Sequence, residues 1–369
     1  MKELIPTRQG IALVALFTIG NSFIYGMAPH AGRDLWLSFL LAAVIALPLI
    51  TIYARLHSLT YGQTLSEALT QLFGKWPSRA VALGYSLFAW RLACLVVGDL
   101  TSFVQTTSLT QTPQIVVAAG FIILALWIVK YGTEVLARWS SIMIVIVVGI
   151  ILGTLVLMWS EVSFEAFLPI MYDGFKPVIL GAFQVLDFPL LEPVIFFWVL
   201  DALPEKKSSY KVFLIGSLMA TSFLMIIATI SLSVLGADKY VSYYFPIFMA
   251  TARIDVANFL TRMELVVGVT IALSGFLKIA VCVLVASKAL AHALGFKDYR
   301  FLVTPVALSI VPGSQWFVQT IMGIVESATK IASPSDVFME VVVPLLLWIT
   351  AEIRISKQGE NKAGKPNSI

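Results

Sequence analysis

Apolar residues fall in long unbroken stretches along this chain, separated by short polar connectors. Helices that cross a bilayer need roughly 20 mostly apolar residues. Ten stretches qualify as spans, at 11–29, 35–55, 79–106, 114–130, 137–159, 178–200, 211–236, 265–291, 301–321 and 336–353. Membrane β-strands would instead alternate apolar and polar over about ten residues, and that alternation is absent. The expected class is therefore all-α and polytopic, with residues 1–355 as one transmembrane domain and 356–369 as a polar, disordered cytoplasmic tail. In the connector 57–78, QTLSEALTQLFG predicts a short amphipathic helix at the membrane interface. The connector 237–264 is long and rich in aromatics, and is expected to pack over the mouth of the bundle.

Composition agrees with this pattern. Of 369 residues, 59% are hydrophobic and 12% charged, against about one quarter charged in soluble domains. The first apolar run contains polar breaks and leads straight into a second span, so it reads as a span and not as a cleavable signal. With the N-terminus inside, seventeen Lys and Arg fall on the cytoplasmic side and six on the other, which predicts both termini inside. The formal net charge of +4 then reflects topology and gives no argument for nucleic acid. Cys94 and Cys282 lie in apolar runs, and His30, His57 and His292 are scattered near span ends. No metal site or cofactor is expected from them.

Two spans are interrupted by residues that suit neither a helix nor lipid. LDFPLLEPVIFFWVLD (186–201) carries Asp187, Glu192, Pro189 and Pro193 close together. A central Asp costs about 2.5–3.5 kcal/mol on insertion scales, and an interior Pro costs about 3 kcal/mol in a helix. Both are tolerated where the backbone is discontinuous and faces protein or a cavity. Span six thus reads as two half-helices joined by an unwound piece; the plainer alternative is a proline kink with carboxylates near one interface. FTIGNSFIYGMAP (17–29) interrupts span one with Gly20, Asn21, Ser22 and Gly26, residues whose side chains or freedom compete with helix. Alone, this would be ordinary small-residue packing. Span one opens the first five spans (11–159), however, and span six opens the second five (178–353). Interruptions at corresponding places predict an inverted-repeat transporter fold with its site near the midplane, although no repeat is visible residue by residue.

Further ionisable groups lie inside spans: Arg91 and Asp99 in span three, and Lys278 in span eight. Arg91 and Asp99 are about 12 Å apart along a helix, too far to pair directly. Lys278 should face the interior and seek a carboxylate, and Glu192 is nominated. Structural ion pairing, or snorkelling in the case of Arg91, is the plainer account of all three. VVGD (96–99) and MYDG (171–174) do not match the paired aspartates of an intramembrane protease, and no HExxH occurs. No enzymatic activity is expected.

Several stretches in order, IGNSFIYGMAPHAGRDLWLS (19–38), GDLTSFVQTTSLTQTP (98–113), GTEVLARWSSIM (132–143), FPLLEPVIFF (188–197), FLTRMELVV (259–267) and FLKIAVCVLV (276–285), make the chain resemble the endospore germination permeases. These are the GerAB-type B subunits of spore germinant receptors, within the amino acid–polyamine–organocation superfamily. The resemblance implies a ten-helix, LeuT-like 5+5 fold with discontinuous helices one and six, and a small germinant such as an amino acid bound between them. It also implies A-type and C-type partner subunits in the spore inner membrane. By position, Gly20, Asn21, Ser22, Phe188, Pro189 and Glu192 are the ligand-facing candidates. Asp187, Lys278, Arg91 and Asp99 are left for charge relay or ion pairing. The chain departs from the family at Leu190–Leu191, where a small residue is common before the glutamate. Three readings compete: a ligand-sensing permease subunit, a proton-coupled amino acid transporter, and a membrane scaffold whose polar groups only join helices.

Overall fold

The computed structural model describes residues 4–22, 24–200, 203–254, 263–318 and 334–363, all of them in helices, turns or irregular chain. The helices are α1 (Thr7–Ile19), α2 (Leu35–Leu59), α3 (Leu65–Phe73), α4 (Lys75–Thr107), α5 (Gln114–Lys130), α6 (Thr133–Met158), α7 (Phe175–Val185), α8 (Lys206–Leu235), α9 (Ala237–Ser242), α10 (Pro246–Thr251), α11 (Met263–Leu294), α12 (Arg300–Phe317) and α13 (334–363). Six described stretches are long and apolar enough to cross a membrane: Pro29–Leu59, Lys75–Thr107, Thr133–Glu161, Phe175–Trp198, Lys206–Leu235 and Glu264–Leu294; α1 and α5 are shorter apolar helices. The chain is an integral membrane protein.

At the centre, α4 and α11 pack along each other, with α5 and α12 against them on one side. On the other side α2 packs on α7 and α8, while α1 is wedged among α6, α8 and α11. Close packing here depends on small residues: a Cβ on Gly275 of α11 would fall 2.6 Å from Leu100 of α4. The amphipathic α3 starts with a capping box, in which Thr64 Oγ1 accepts from the Glu67 N–H and Glu67 Oε2 from the Thr64 N–H.

α1 stops at Ile19, just before the interruption that the sequence places at Gly20. One expectation is corrected: residues 356–363 of the expected disordered tail are helical, because the last helix runs on to Ala363. Lys, Gln, Glu and Ala dominate that stretch and are good helix formers, so polarity alone did not end it. Residues 364–369 of the expected tail, 255–262 of the long connector and 319–321 of the ninth expected span lie outside the described residues. The described part of the long connector does cover the bundle, through α9 and α10. Tyr240 Oη accepts from the Met27 N–H at 3.0 Å, and the Phe245 ring lies 5.9 Å from Tyr25 and 5.2 Å from Phe103. Burial holds the Tyr240 phenol above its ordinary pKa, so it stays protonated in this role.

Candidate functional site

Each interruption has a local cause. At the end of α1, Gly20 turns to φ +30°, a conformation that glycine adopts at little cost. Ser22 Oγ donates back to the Thr18 carbonyl at 2.7 Å, one of the carbonyls that a continuing helix would have used. The described residues of the segment 20–28 are not helical, and Pro29 opens the turn Pro29–Asp34. Beyond α7 the backbone widens over Leu186–Leu190, Phe188 is extended (φ −135°, ψ 115°), and a tight turn restarts at Glu192–Trp198 with Pro193 in its first turn. Proline removes a helical donor at 189 and favours a fresh start at 193.

One helix holds both breaks. From α11, Ser274 Oγ donates to the Gly20 carbonyl at 2.7 Å, and one turn on Lys278 Nζ donates to Glu192 Oε2 at 2.6 Å. Lys278 is fully buried and Glu192 nearly so. The ammonium passes between aromatic rings, 4.6 Å from the centroid of Phe188 and 5.3 Å from that of Phe17. Beside this pair Asp99, on α4, accepts from Asn21 Nδ2 at 2.6 Å and from Tyr25 Oη at 3.2 Å. A carboxylate accepts only, so the amide must turn its nitrogen to Asp99; Asn21 Oδ1 is left buried without a hydrogen-bond partner among the described residues.

A cavity of about 500 Å³ lies between the two breaks, within the size range of small-molecule sites. Of the ligand-facing candidates, Asn21, Ser22, Phe188 and Glu192 line it, whereas Gly20 and Pro189 shape the backbone behind it. Asp99, Asp187 and Arg91 also line it, and Lys278 reaches it only through Glu192. Arg91 does not snorkel: it forms an ion pair with Asp336 at the start of α13. Sequence reasoning passed over Tyr25, Gln184, Asp336 and Glu340, which share the wall. Glu340 carried the same signal as Asp99, a lone acid in the apolar run FMEVVVPLLLWI. Among the described residues no His, Cys, Asp and Glu cluster has metal-binding geometry.

The helical membrane bundle, with a ligand-sized cavity between two broken helices, shares its fold with solved transporters of the LeuT-like architecture. A Na+-coupled sialic acid symporter in a substrate-bound outward-open state superposes with TM-score 0.64 at 12% identity, covering 92% of this chain and 79% of that one. Mhp1, a nucleobase-cation-symport-1 family transporter in a closed conformation, gives TM-score 0.67 at 12% identity, covering 94% and 77%. The chain belongs to the spore germination protein family, whose sequence profile matches residues 4–315. Spore germination protein KB of Bacillus subtilis (strain 168) is 24% identical over 313 residues, 84% of each chain.

Proposed function

We propose that this protein is the membrane subunit of a spore germinant receptor. A small nutrient, with an amino acid as the leading class, binds between the interrupted segments after α1 and α7. In this reading the spans number ten, arranged as two inverted sets of five, with α1, α5, α12 and α13 completing the six long crossings. Both termini face the spore core, the membrane is the spore inner membrane, and A-type and C-type subunits complete the receptor. The observation that carries the reading is the cavity walled by both interruptions, with polar side chains from each. Because α11 grips both breaks, a ligand that favours one spacing of them would shift the whole bundle between states, provided it binds one state better than the other.

The test uses spores carrying Glu192→Gln, with assembly of the receptor checked by immunoblot. The expected outcome is a germination response to nutrient lost or shifted at least about ten-fold in concentration, the scale of one charge-assisted contact. An unchanged dose response at normal receptor levels would overturn the reading.

The buried Lys278–Glu192 pair beside Asp99 favours a second reading, a proton-coupled amino acid transporter, because such groups also serve proton relays. Uptake of labelled amino acids driven by a pH gradient, in liposomes holding this chain alone, would select that reading over the first.

A further inference from the structure

The charges around the cavity do not balance. Lys278 is committed to Glu192 and Arg91 to Asp336. Two acids on the wall, Asp99 and Glu340, have no ion-pair partner among the described residues, although they are only 8% and 2% exposed. Asp99 takes hydrogen bonds from Asn21 and Tyr25, and the Lys278 ammonium that also acts on it is in contact with Glu192 instead. Glu340 sits in the wide turn Phe338–Val342 of α13, which is pinned from outside: its own carbonyl accepts from the Tyr53 hydroxyl, and the Met339 carbonyl accepts from Tyr85 Oη at 3.3 Å. Those bonds use the backbone, and the Glu340 carboxylate takes no hydrogen bond from the described residues. The charged groups that bear on it are Asp187, Glu192 and Asp336, all acidic, and Arg91.

A buried carboxylate is costly unless a cation or several donors reach it. Asn21 Oδ1 is likewise buried and unpartnered. The wall therefore offers acceptors in excess of donors, and an ammonium group brings three donors and one positive charge. We propose that Glu340, acting with Asp99, makes the cavity selective for ligands that carry a protonated amine. The inference rests on the cavity being the nutrient site, and it narrows the nutrient by charge: an amine is required, whereas sugars, nucleosides and hydroxy acids lack the group that both acids need.

The experiment measures binding to the purified full chain in phosphatidylglycerol–phosphatidylethanolamine nanodiscs, by thermal shift and titration. Its probes are the standard amino acids, the 2-hydroxy acids matching alanine, valine and leucine, the corresponding decarboxylated amines, glucose and inosine. Amine-bearing compounds are expected to bind about ten-fold or more tightly than their hydroxy counterparts. The near-isosteric Glu340→Gln and Asp99→Asn should each cut that preference to about two-fold, and Glu340→Asp should retain it. The preference is a ratio within one variant, so lowered stability does not obscure it. If Glu340→Gln fails to fold, the wild-type preference and Asp99→Asn decide. Hydroxy acids or glucose binding the wild type as tightly as amines, or a folded Glu340→Gln that keeps the preference, would overturn the inference and leave a nutrient site standing. If no compound shifts the wild-type melting temperature, the nutrient-site reading falls and the inference with it.

Discussion

Gly20 is required twice over. Its φ of +30° is a conformation that side chains resist, and a Cβ there would lie 2.6 Å from Lys278 Cδ and 2.7 Å from the Phe17 carbonyl oxygen. The lysine stem could swing aside, but it would lose Glu192 in doing so, and the carbonyl belongs to the backbone of α1 and cannot yield. Gly20→Ala is therefore expected to destabilise the fold by about 1–3 kcal/mol, the usual cost of holding a side chain in a sparsely populated conformation. A thermal melt of the purified variant checks this, and an unchanged melting temperature would mean that the break is soft. Tyr240 makes the complementary case, because its ring stays packed if only the oxygen is removed. Tyr240→Phe leaves the buried Met27 N–H without its acceptor, so a loss of about 1–3 kcal/mol is expected.

Among the elements, α11 joins the two breaks by side-chain hydrogen bonds, through Ser274 and Lys278 spaced one turn apart on the same face. Lys278→Met should cost about 3–5 kcal/mol, since it strands Glu192 as a buried charge, whereas Lys278→Met with Glu192→Gln should recover much of that loss. A double-mutant cycle on melting free energies tests the coupling; equal losses in the single and double variants would show that the pair does not act as a unit. The recovered double variant should also germinate poorly if the pair transmits the ligand signal. Much of this arrangement was legible beforehand, for physical reasons that differ by residue. GNS in an apolar run and two prolines beside two acids are local faults, and a local fault is visible wherever the chain folds. Lys278 and Glu192 could be matched because each is an isolated charge in an apolar run and their signs are opposite. The Arg91–Asp336 pair could not be matched in this way. Asp336 stands at the start of its helix, where an acid is unremarkable, and only the packing of α4 against α13 brings it to Arg91 across 245 positions. Glu340 was visible as a lone acid in an apolar run, but its role depends on a cavity that no single segment contains.

For the whole molecule, the number of crossings decides how the two breaks relate. If the halves are inverted repeats, α5 must cross the membrane although it has only 17 residues, about 25 Å of helix, slightly less than the hydrocarbon core. Short helices of this kind cross where the bilayer thins around the bundle. The connectors on either side of α5 then lie on opposite faces, and the distribution of Lys and Arg predicts the one near Leu109 outside and the one near Tyr131 inside. Both residues are exposed, at 47% and 59%, while the two native cysteines, Cys94 and Cys282, are buried. A membrane-impermeant maleimide applied to intact cells should therefore label Leu109→Cys and spare Tyr131→Cys, with both reacting once the membrane is permeabilised. Labelling of both sites in intact cells would remove α5 from the crossings and leave the halves unequal. The reversed pattern would keep the count of ten and turn the molecule over, placing the basic connectors on the face opposite to the spore core.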